Sequence, residues 1–231
     1  MHILSSRYRI PWRSIRFPLL TLLLFLAIRG LLLEAFTIPT SSMENTLLVG
    51  DFLLVNKALY GAEIPGTRVR LPAIRDPQRG DVVVFRPPHD PLRNYVKRVV
   101  GLPGDTVAMR RKVFHVNGVP QEEEYAVHRQ ARGDAFHPGM AWQSGFLAAA
   151  RPRQRYLPSR DNWGSLVVPP GKYFVLGDNR DNSEDSRYWG FVGRGEIHGY
   201  PWLVYLSVEE GDTVPGWFGR IRWRRLGHRV Q

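Results

Sequence analysis

Three short segments of the chain concentrate side chains that could carry out nucleophilic or acid–base chemistry. They are residues 38–43 (IPTSSM), 94–105 (NYVKRVVGLPGD) and 177–190 (GDNRDNSEDSRYWG). A serine hydroxyl needs a base within hydrogen-bond reach before it becomes an effective nucleophile. None of the three segments contains a histidine, but the second contains Lys97. A lysine can serve as the base if its amine is neutral.

The position of Lys97 favours a lowered pKa. Alternation along a β-strand places Lys97 on one face with Tyr95 and Val99. At its ordinary pKa near 10.4, only about one lysine in 2,500 is neutral at pH 7. Burial in apolar surroundings can lower that pKa by up to about 3–5 units. A shift of this size would make Lys97 a competent base near neutral pH.

Each segment taken alone also fits a purely structural role. Serines after a proline commonly form turns, and a lysine in a YVKRVV strand commonly faces solvent. The third segment could be a solvated turn, but its density of opposite charges predicts a salt-bridged loop. The charged residues in question are Asp178, Arg180, Asp181, Asp185 and Arg187.

Composition and charge exclude several other classes of protein. The chain has 231 residues and no cysteine, which excludes disulfides, zinc knuckles and a thiol nucleophile. Its seven histidines are scattered, so we expect no metal and no cofactor. The net charge is +11, but residues 1–16 carry four arginines, residues 213–231 carry five, and neither end carries an acid. Basic ends around a nearly neutral body favour a membrane surface and argue against a nucleic-acid partner.

An apolar run near the N-terminus predicts a membrane anchor. Residues 17–33 (FPLLTLLLFLAIRGLLL) contain one charge, Arg29, which can snorkel if it lies near a helix end. The arginines that precede the run predict a cytoplasmic N-terminus and a body on the outer side of the membrane. A cleaved signal peptide and a buried helix of a soluble domain are the alternatives.

Beyond residue 34 the pattern is that of a β protein. Short apolar runs alternate with turn signals such as Pro87-Pro88 and Asn117-Gly118, and the latter predicts a hairpin. Residues 121–165 are polar and irregular, and we expect an elaborated insertion there. The predicted strands are Phe52–Asn56, Asp81–Phe85, Tyr95–Val100, Val113–Val116, Tyr173–Leu176 and Trp202–Val208.

Together the segments resemble the bacterial type I signal peptidases, membrane-bound endopeptidases with a Ser–Lys dyad. The matching runs are PTSSM with TLLVGDFLLVNK after it, RGDVVVF, YVKRVVGLPGD and GDNRDNSxDSRxWG, in the family's order. The resemblance implies a mainly β fold, with an N-terminal transmembrane helix followed by a two-part antiparallel β catalytic domain. The implied parts are a basic cytoplasmic tail (1–16), a transmembrane anchor (17–34), a catalytic β domain (35–107 and 169–231) and an inserted smaller β domain (108–168).

The resemblance also implies a role for each matching residue. Ser42 corresponds to the nucleophile and Lys97 to the general base. Ser183 corresponds to a serine that hydrogen-bonds and orients the lysine. The Thr40 hydroxyl and the Ser42 N–H correspond to the oxyanion-hole donors. The remaining match is a structural ion pair, Asp185 and Arg187.

The implied substrates are signal peptides of exported preproteins, cut after small residues in Ala-x-Ala patterns. The implied location is the inner (plasma) membrane, with a single span and the catalytic domain on the outer side, in contact with lipid. Shallow apolar pockets would exclude large side chains by overlap. The positions that match these pockets are Phe36, Ile38, Pro39, Met43, Leu47, Tyr95 and Val96.

One departure from the family pattern keeps other functions open. Asn45 stands where the family usually has proline, which predicts a less restrained turn after the nucleophile. A specialised protease with one dedicated substrate, of the conjugation or pilus type, is therefore an alternative. So is a catalytically silent, membrane-tethered binding module. A soluble self-cleaving repressor is disfavoured by the apolar run.

Overall fold

The apolar runs of the sequence pair into β-sheets behind a single N-terminal helix. The computed structural model describes residues 12–64, 67, 69–130, 134–148, 156–209 and 218–231. Two α-helices lie in these residues, α1 (Trp12–Leu31) and α2 (Ser186–Trp189). The strands are β1 (Leu33–Thr37), β2 (Asp51–Asn56), β3 (Val82–Phe85), β4 (Tyr95–Gly101), β5 (Thr106–Arg110), β6 (Val113–Val116), β7 (Val119–Pro120), β8 (Trp163–Val167), β9 (Lys172–Leu176), β10 (Val192–Gly193), β11 (Ile197–Ser207) and β12 (His228–Arg229).

The N-terminal helix differs from the predicted anchor. The helix α1 begins at Trp12 and ends at Leu31, whereas the anchor was predicted over 17–34. The C-terminal boundary of that prediction is wrong because Glu34 lies in β1, where it pairs with Val55 of β2. In the part of the chain that the structure describes, no helix combines the length and apolarity needed to cross a membrane. The prediction of a spanning helix is therefore not confirmed, and residues 1–11 of the predicted tail lie outside the described residues.

Most strands belong to one antiparallel sheet, which confirms a mainly β fold. Its order is β1-β2-β11-β3-β4-β9-β10, and β12 pairs with β11. The long strand β11 connects the two halves of this sheet. Its first residues pair with β3, and from Tyr200 onward it pairs with β2.

A second antiparallel sheet has the order β7-β6-β5-β8. Asn117 and Gly118 form the turn between β6 and β7, as predicted. Both residues have positive φ, 53° and 82°, which is the conformation that tight hairpin turns require. This sheet packs on the large one through a core that contains Phe114, Trp163 and Phe174.

The six predicted strands are all present, but the prediction missed others. The largest missed strands are β1, β5 and β8. The run of β1 (LEAFT) was assigned to the anchor or to the segment after it. The β5 run (TVAMR) and the β8 run (WGSLV) have weak alternation. All three form strands mainly because neighbouring strands pair with them, since their own sequences carry only a weak strand pattern.

A core between the first strands supports the segment that carries Ser42. Met43 and Leu47 are fully buried there, with Leu53 of β2 and Val96 of β4. On the opposite face of the sheet, Val99 of β4 packs in a separate core. Strand β4 therefore has buried side chains on both of its faces.

A glycine in β11 provides a test of the sheet architecture. A Cβ atom at Gly199 would lie 2.5 Å from Cγ1 of Val55, whereas a Cβ at Gly195 would meet nothing within 4 Å. We expect Gly199→Ala to lower the free energy of unfolding by about 1–3 kcal/mol because the strands must separate to admit the methyl group. Gly195→Ala is the control and should be nearly neutral. Equal denaturation midpoints for the two variants would contradict this packing.

Candidate active site

The loop that carries Ser42 is shaped by its backbone and by its buried neighbours. Thr40 is extended, and residues Ser41–Met43 then form one turn of 3-10 helix. Backbone hydrogen bonds hold the loop's base, since Ile38 N–H donates to the Asp51 carbonyl and Gly50 N–H donates to the Ile38 carbonyl. We call residues 38–47 the serine loop.

Strand β4 brings Lys97 against this loop. The Lys97 Nζ donates a hydrogen bond to the Ser42 Oγ at 2.6 Å. Both side chains are nearly inaccessible to solvent, with exposed fractions of 4% for Lys97 and 8% for Ser42. The Thr40 Oγ1 lies 3.3 Å from the Ser42 Oγ. A hydroxyl and an amine are thus in direct contact, both largely buried, with a second hydroxyl beside them.

Burial lowers the pKa of Lys97 to about 8, because an ammonium loses its hydration there. The negative charge of Asp185 opposes this shift, and the positive charge of Arg187 adds to it. A lysine with this pKa is neutral in about one molecule in ten at pH 7. The amine can therefore act as a base near neutral pH.

The loop at residues 177–183 fixes the serine loop from the other side. Asn179 donates its backbone N–H to the Ser42 carbonyl at 3.1 Å and its side-chain amide to the Ser41 carbonyl at 3.3 Å. Asn182 donates its side-chain amide to the Ser41 Oγ at 2.9 Å. Neither asparagine is among the residues predicted from the sequence to form the site. Their neighbours in the GDNRDNS run gave a signal, but their partners lie about 140 residues away in the chain.

Two buried ion pairs stiffen this region. Arg187 binds both carboxylate oxygens of Asp185 at 2.8 Å, and Asp185 also accepts the Gly177 N–H. Arg98, the neighbour of Lys97, binds both carboxylate oxygens of Asp178 at 2.7–2.8 Å. The first pair joins the two residues that the resemblance named. The second was missed, because alternation places Arg98 on the face opposite Lys97 without naming its partner.

A short strap from the irregular insertion crosses both loops. We define the strap as residues 123–130. Val127 makes backbone hydrogen bonds to Asp178 and Arg180, and Gln130 N–H binds the Asp181 carboxylate at 2.6 Å. The ring of Tyr125 lies 3.8 Å from the Arg98 guanidinium. The strap thus covers the Arg98–Asp178 pair.

The strap is also tied to the serine loop by side chains. Arg129 Nη2 donates to a carboxylate oxygen of Glu44 at 3.0 Å. Asn45 Nδ2 donates to the Tyr125 carbonyl at 3.2 Å. These contacts connect the residues just after Ser42 to an insertion whose pattern predicted no partner.

A groove of about 360 Å³ opens beside Ser42 and Lys97. Six of the seven predicted substrate-binding residues line it: Phe36, Ile38, Pro39, Met43, Tyr95 and Val96. Leu47 does not line it, and its side chain is fully buried in the core beneath the serine loop. The assignment of Leu47 to substrate contact was therefore wrong, because its apolar character serves packing.

Ser183 lies near Ser42 and Lys97, but it makes no hydrogen bond to Lys97. Its hydroxyl is buried and has no hydrogen-bond partner in the described part of the chain. It packs against Gly177, where an added Cβ would lie 2.2 Å from the Ser183 Oγ. A lysine-orienting role for Ser183 remains a prediction. The described residues contain no group of histidine and carboxylate side chains arranged to hold a metal ion.

Comparisons with known proteins show the family of this chain. The family model "Signal peptidase, peptidase S26" matches residues 12–206. The signal peptidase I of Pseudomonas aeruginosa is 44% identical over 83% of this chain and 70% of its own. That of Aquifex aeolicus is 34% identical over 85% of this chain and 84% of its own. A crystal structure of a signal peptidase I from Enterococcus faecalis is 34% identical, with a TM-score of 0.37, and covers 55% of this chain and 98% of its own.

The family model and the curated relatives decide the class. A serine endopeptidase of the peptidase S26 type is the class that the family model defines. The chain belongs to the signal peptidase I family, whose activity is the removal of signal peptides from preproteins.

The residue that departs from the family pattern adopts an unusual backbone conformation. Asn45 has a φ of 93°, which a proline ring cannot adopt because it fixes φ near −65°. The turn is therefore a different one, held through the amide of Asn45, and is not a loosened form of the proline turn that we expected.

This conformation gives a test by substitution. We expect Asn45→Pro to lower the free energy of unfolding by about 1–3 kcal/mol, since the loop must abandon its φ. Asn45→Gly keeps the conformation accessible, loses only the amide contacts, and should be clearly milder. Urea denaturation of both variants provides the measurement. A proline variant as stable as the glycine variant would contradict the assigned turn.

Proposed function

We propose that signal-peptide cleavage in this protein proceeds through a Ser42–Lys97 dyad. The observation that carries the proposal is the 2.6 Å contact between two buried side chains whose amine has a pKa of about 8. When the amine is neutral, the same contact passes the Ser42 proton to Lys97 as the Oγ attacks the scissile carbonyl. The Lys97 ammonium then gives its proton to the leaving amine. Water releases the acyl group by the same route.

The neighbouring groups have supporting roles in this mechanism. The Thr40 hydroxyl, 3.3 Å from the Ser42 Oγ, would donate with the Ser42 N–H to the oxyanion. The Asp185–Arg187 pair would hold the Gly177 backbone beside Ser42. Ser183 would orient Lys97 once its unpartnered hydroxyl rotates toward the amine.

The groove supports cleavage after small residues. Ile38, Met43 and Val96 are buried apolar residues that form its wall, and such a wall would exclude a large side chain by overlap. The substrates would be preproteins with Ala-x-Ala sites. We extend the proposal to domains, with a catalytic part (35–107 and 169–231) and an inserted part (108–168) that supplies the strap.

The pH dependence of cleavage tests the dyad. Protonated Lys97 cannot accept the Ser42 proton, so below pH 8 the kcat/KM for an Ala-x-Ala peptide should fall about tenfold per pH unit. Above pH 8 it should level off. A profile that stays flat from pH 6 to pH 9 would contradict a lysine base with a lowered pKa.

Substitutions test whether cleavage requires Ser42 and Lys97 themselves or only a positive charge on the protein. Ser42→Ala, Lys97→Met and Lys97→Arg should each reduce cleavage by at least about 10³-fold. The first removes the nucleophile and the second removes the base. The third replaces the base by a guanidinium, which stays protonated. Lys172→Met removes a lysine outside the groove and should keep activity. Retained cleavage in Lys97→Met would exclude the mechanism. A wild-type chain that binds preprotein without cutting it would instead favour a silent binding module.

We further propose that the enzyme works at the outer face of the plasma membrane, in contact with lipid. Large apolar side chains of α1 are exposed, among them Phe17, Leu20 and Leu24. Such a surface is stabilised when it leaves water. Ser42 lies eight residues after Glu34, so it is at most about 29 Å of extended chain from that residue. The dyad would therefore face the site where a preprotein emerges.

Vesicle flotation tests the contact with lipid. The full chain should float with vesicles of phosphatidylglycerol and phosphatidylethanolamine. Leu20→Ser combined with Leu24→Ser should weaken flotation severalfold, because it replaces exposed apolar surface by hydroxyl groups. Val69→Ser combined with Ile74→Ser changes exposed apolar residues elsewhere and is the matched control. Equal flotation of both variants would contradict a role for α1.

A further inference from the structure

The groove beside Ser42 contains a carboxylate, Glu184, that has no partner among the described residues. Three charged side chains line the groove, Arg93, Lys97 and Glu184. Arg93 lies 3.6 Å from the Asp90 carboxylate, and Lys97 is hydrogen-bonded to Ser42. Glu184 makes neither an ion pair nor a hydrogen bond with any residue that the structure describes. Its charge is therefore available to a bound molecule.

Glu184 lies where the groove continues into a second cleft. This second cleft has a volume of about 450 Å³, and Asn182 and Glu184 border both cavities. Its other walls include the half-buried rings of Tyr188 and Trp189. Aromatic rings next to a carboxylate suit a polypeptide that carries a cationic side chain. An extended chain can thus run from the groove across Glu184 into the second cleft.

The charge of Glu184 reaches the reacting groups. Burial dominates the lowered pKa of Lys97, and the Glu184 carboxylate is among the charges that oppose it. Burial also raises the pKa of Tyr95, and Glu184 adds to that shift. A side chain that acts on both residues lies close to the scissile bond of a bound substrate.

We propose that Glu184 is a specificity-determining residue that favours substrates with a basic side chain just after the scissile bond. This inference rests on the proposed function. The apolar wall of the groove takes the small residues that precede the scissile bond, so the chain that follows leaves past Glu184 into the second cleft. Because Glu184 is exposed, its attraction for a lysine is modest, about two- to fivefold in kcat/KM.

A set of matched peptides tests the proposal. The full chain in detergent is given Ala-x-Ala peptides that differ only at the first residue after the scissile bond, which is Lys, Gln or Glu. We expect the wild type to cut the Lys peptide about three- to tenfold faster than the Glu peptide, and less so at high salt. Glu184→Gln should bring this ratio close to one. Glu184→Lys should reverse it.

A charge-matched control and a binding measurement complete the test. Glu122→Gln removes an exposed carboxylate that borders neither cavity, and should keep the wild-type ratio. A ratio that is unchanged in Glu184→Gln, or reduced equally in Glu122→Gln, would overturn the proposal. Fluorescence anisotropy of the same peptides on Ser42→Ala measures the charge preference without hydrolysis. If no peptide is cut, the proposed function fails, and equal binding of the Lys and Glu peptides then overturns this inference separately.

Discussion

The structure depends on burying the Lys97 amine while holding it against the Ser42 hydroxyl. In the proposed mechanism the Lys97–Ser42 contact works only if the amine is neutral, and burial is what lowers the pKa of the amine. Burial in turn requires that β4 be covered on both faces, which the cores around Val96 and Val99 provide. The Asp185 carboxylate would raise the pKa of Lys97 more strongly if it were unpaired. It is hydrogen-bonded to Arg187, whose positive charge offsets part of this effect.

The second requirement is a fixed position for the serine loop. Its residues are held from below by the packing of Met43 and Leu47, and from the side by Asn179 and Asn182. The strap of residues 123–130 covers the remaining side. A buried polar group that lacks a partner costs about 1–3 kcal/mol, and among the described residues the Ser183 hydroxyl is an exception to the pairing seen around it. The Lys97–Ser42 contact is therefore surrounded by many supporting side chains.

The sequence could predict the dyad and most of the large sheet, and specific physical reasons limited the rest. Alternation placed Lys97 on a face with Tyr95, and the structure shows it buried more completely than alternation alone implies, because β4 is covered on both sides. Leu47 was misassigned because an apolar residue near a groove looks the same in sequence whether it faces substrate or core. The strap was not predicted because its backbone contacts through Val127 carry no sequence signal, and because its ion pair between Glu123 and Arg180 joins residues 57 positions apart in the chain.

The Arg98 guanidinium has a consequence for biosynthesis. It binds Asp178, stacks on Tyr125 and donates to the backbone carbonyl of Gln231, which lies 133 positions later in the chain. These partners leave the ribosome at widely separated times, with the carbonyl last. A nascent chain that has already emerged with Ser42 and Lys97 still lacks the groups that lock them in place. The full set of Arg98 contacts can therefore form only after the segment that contains Gln231 has been synthesised.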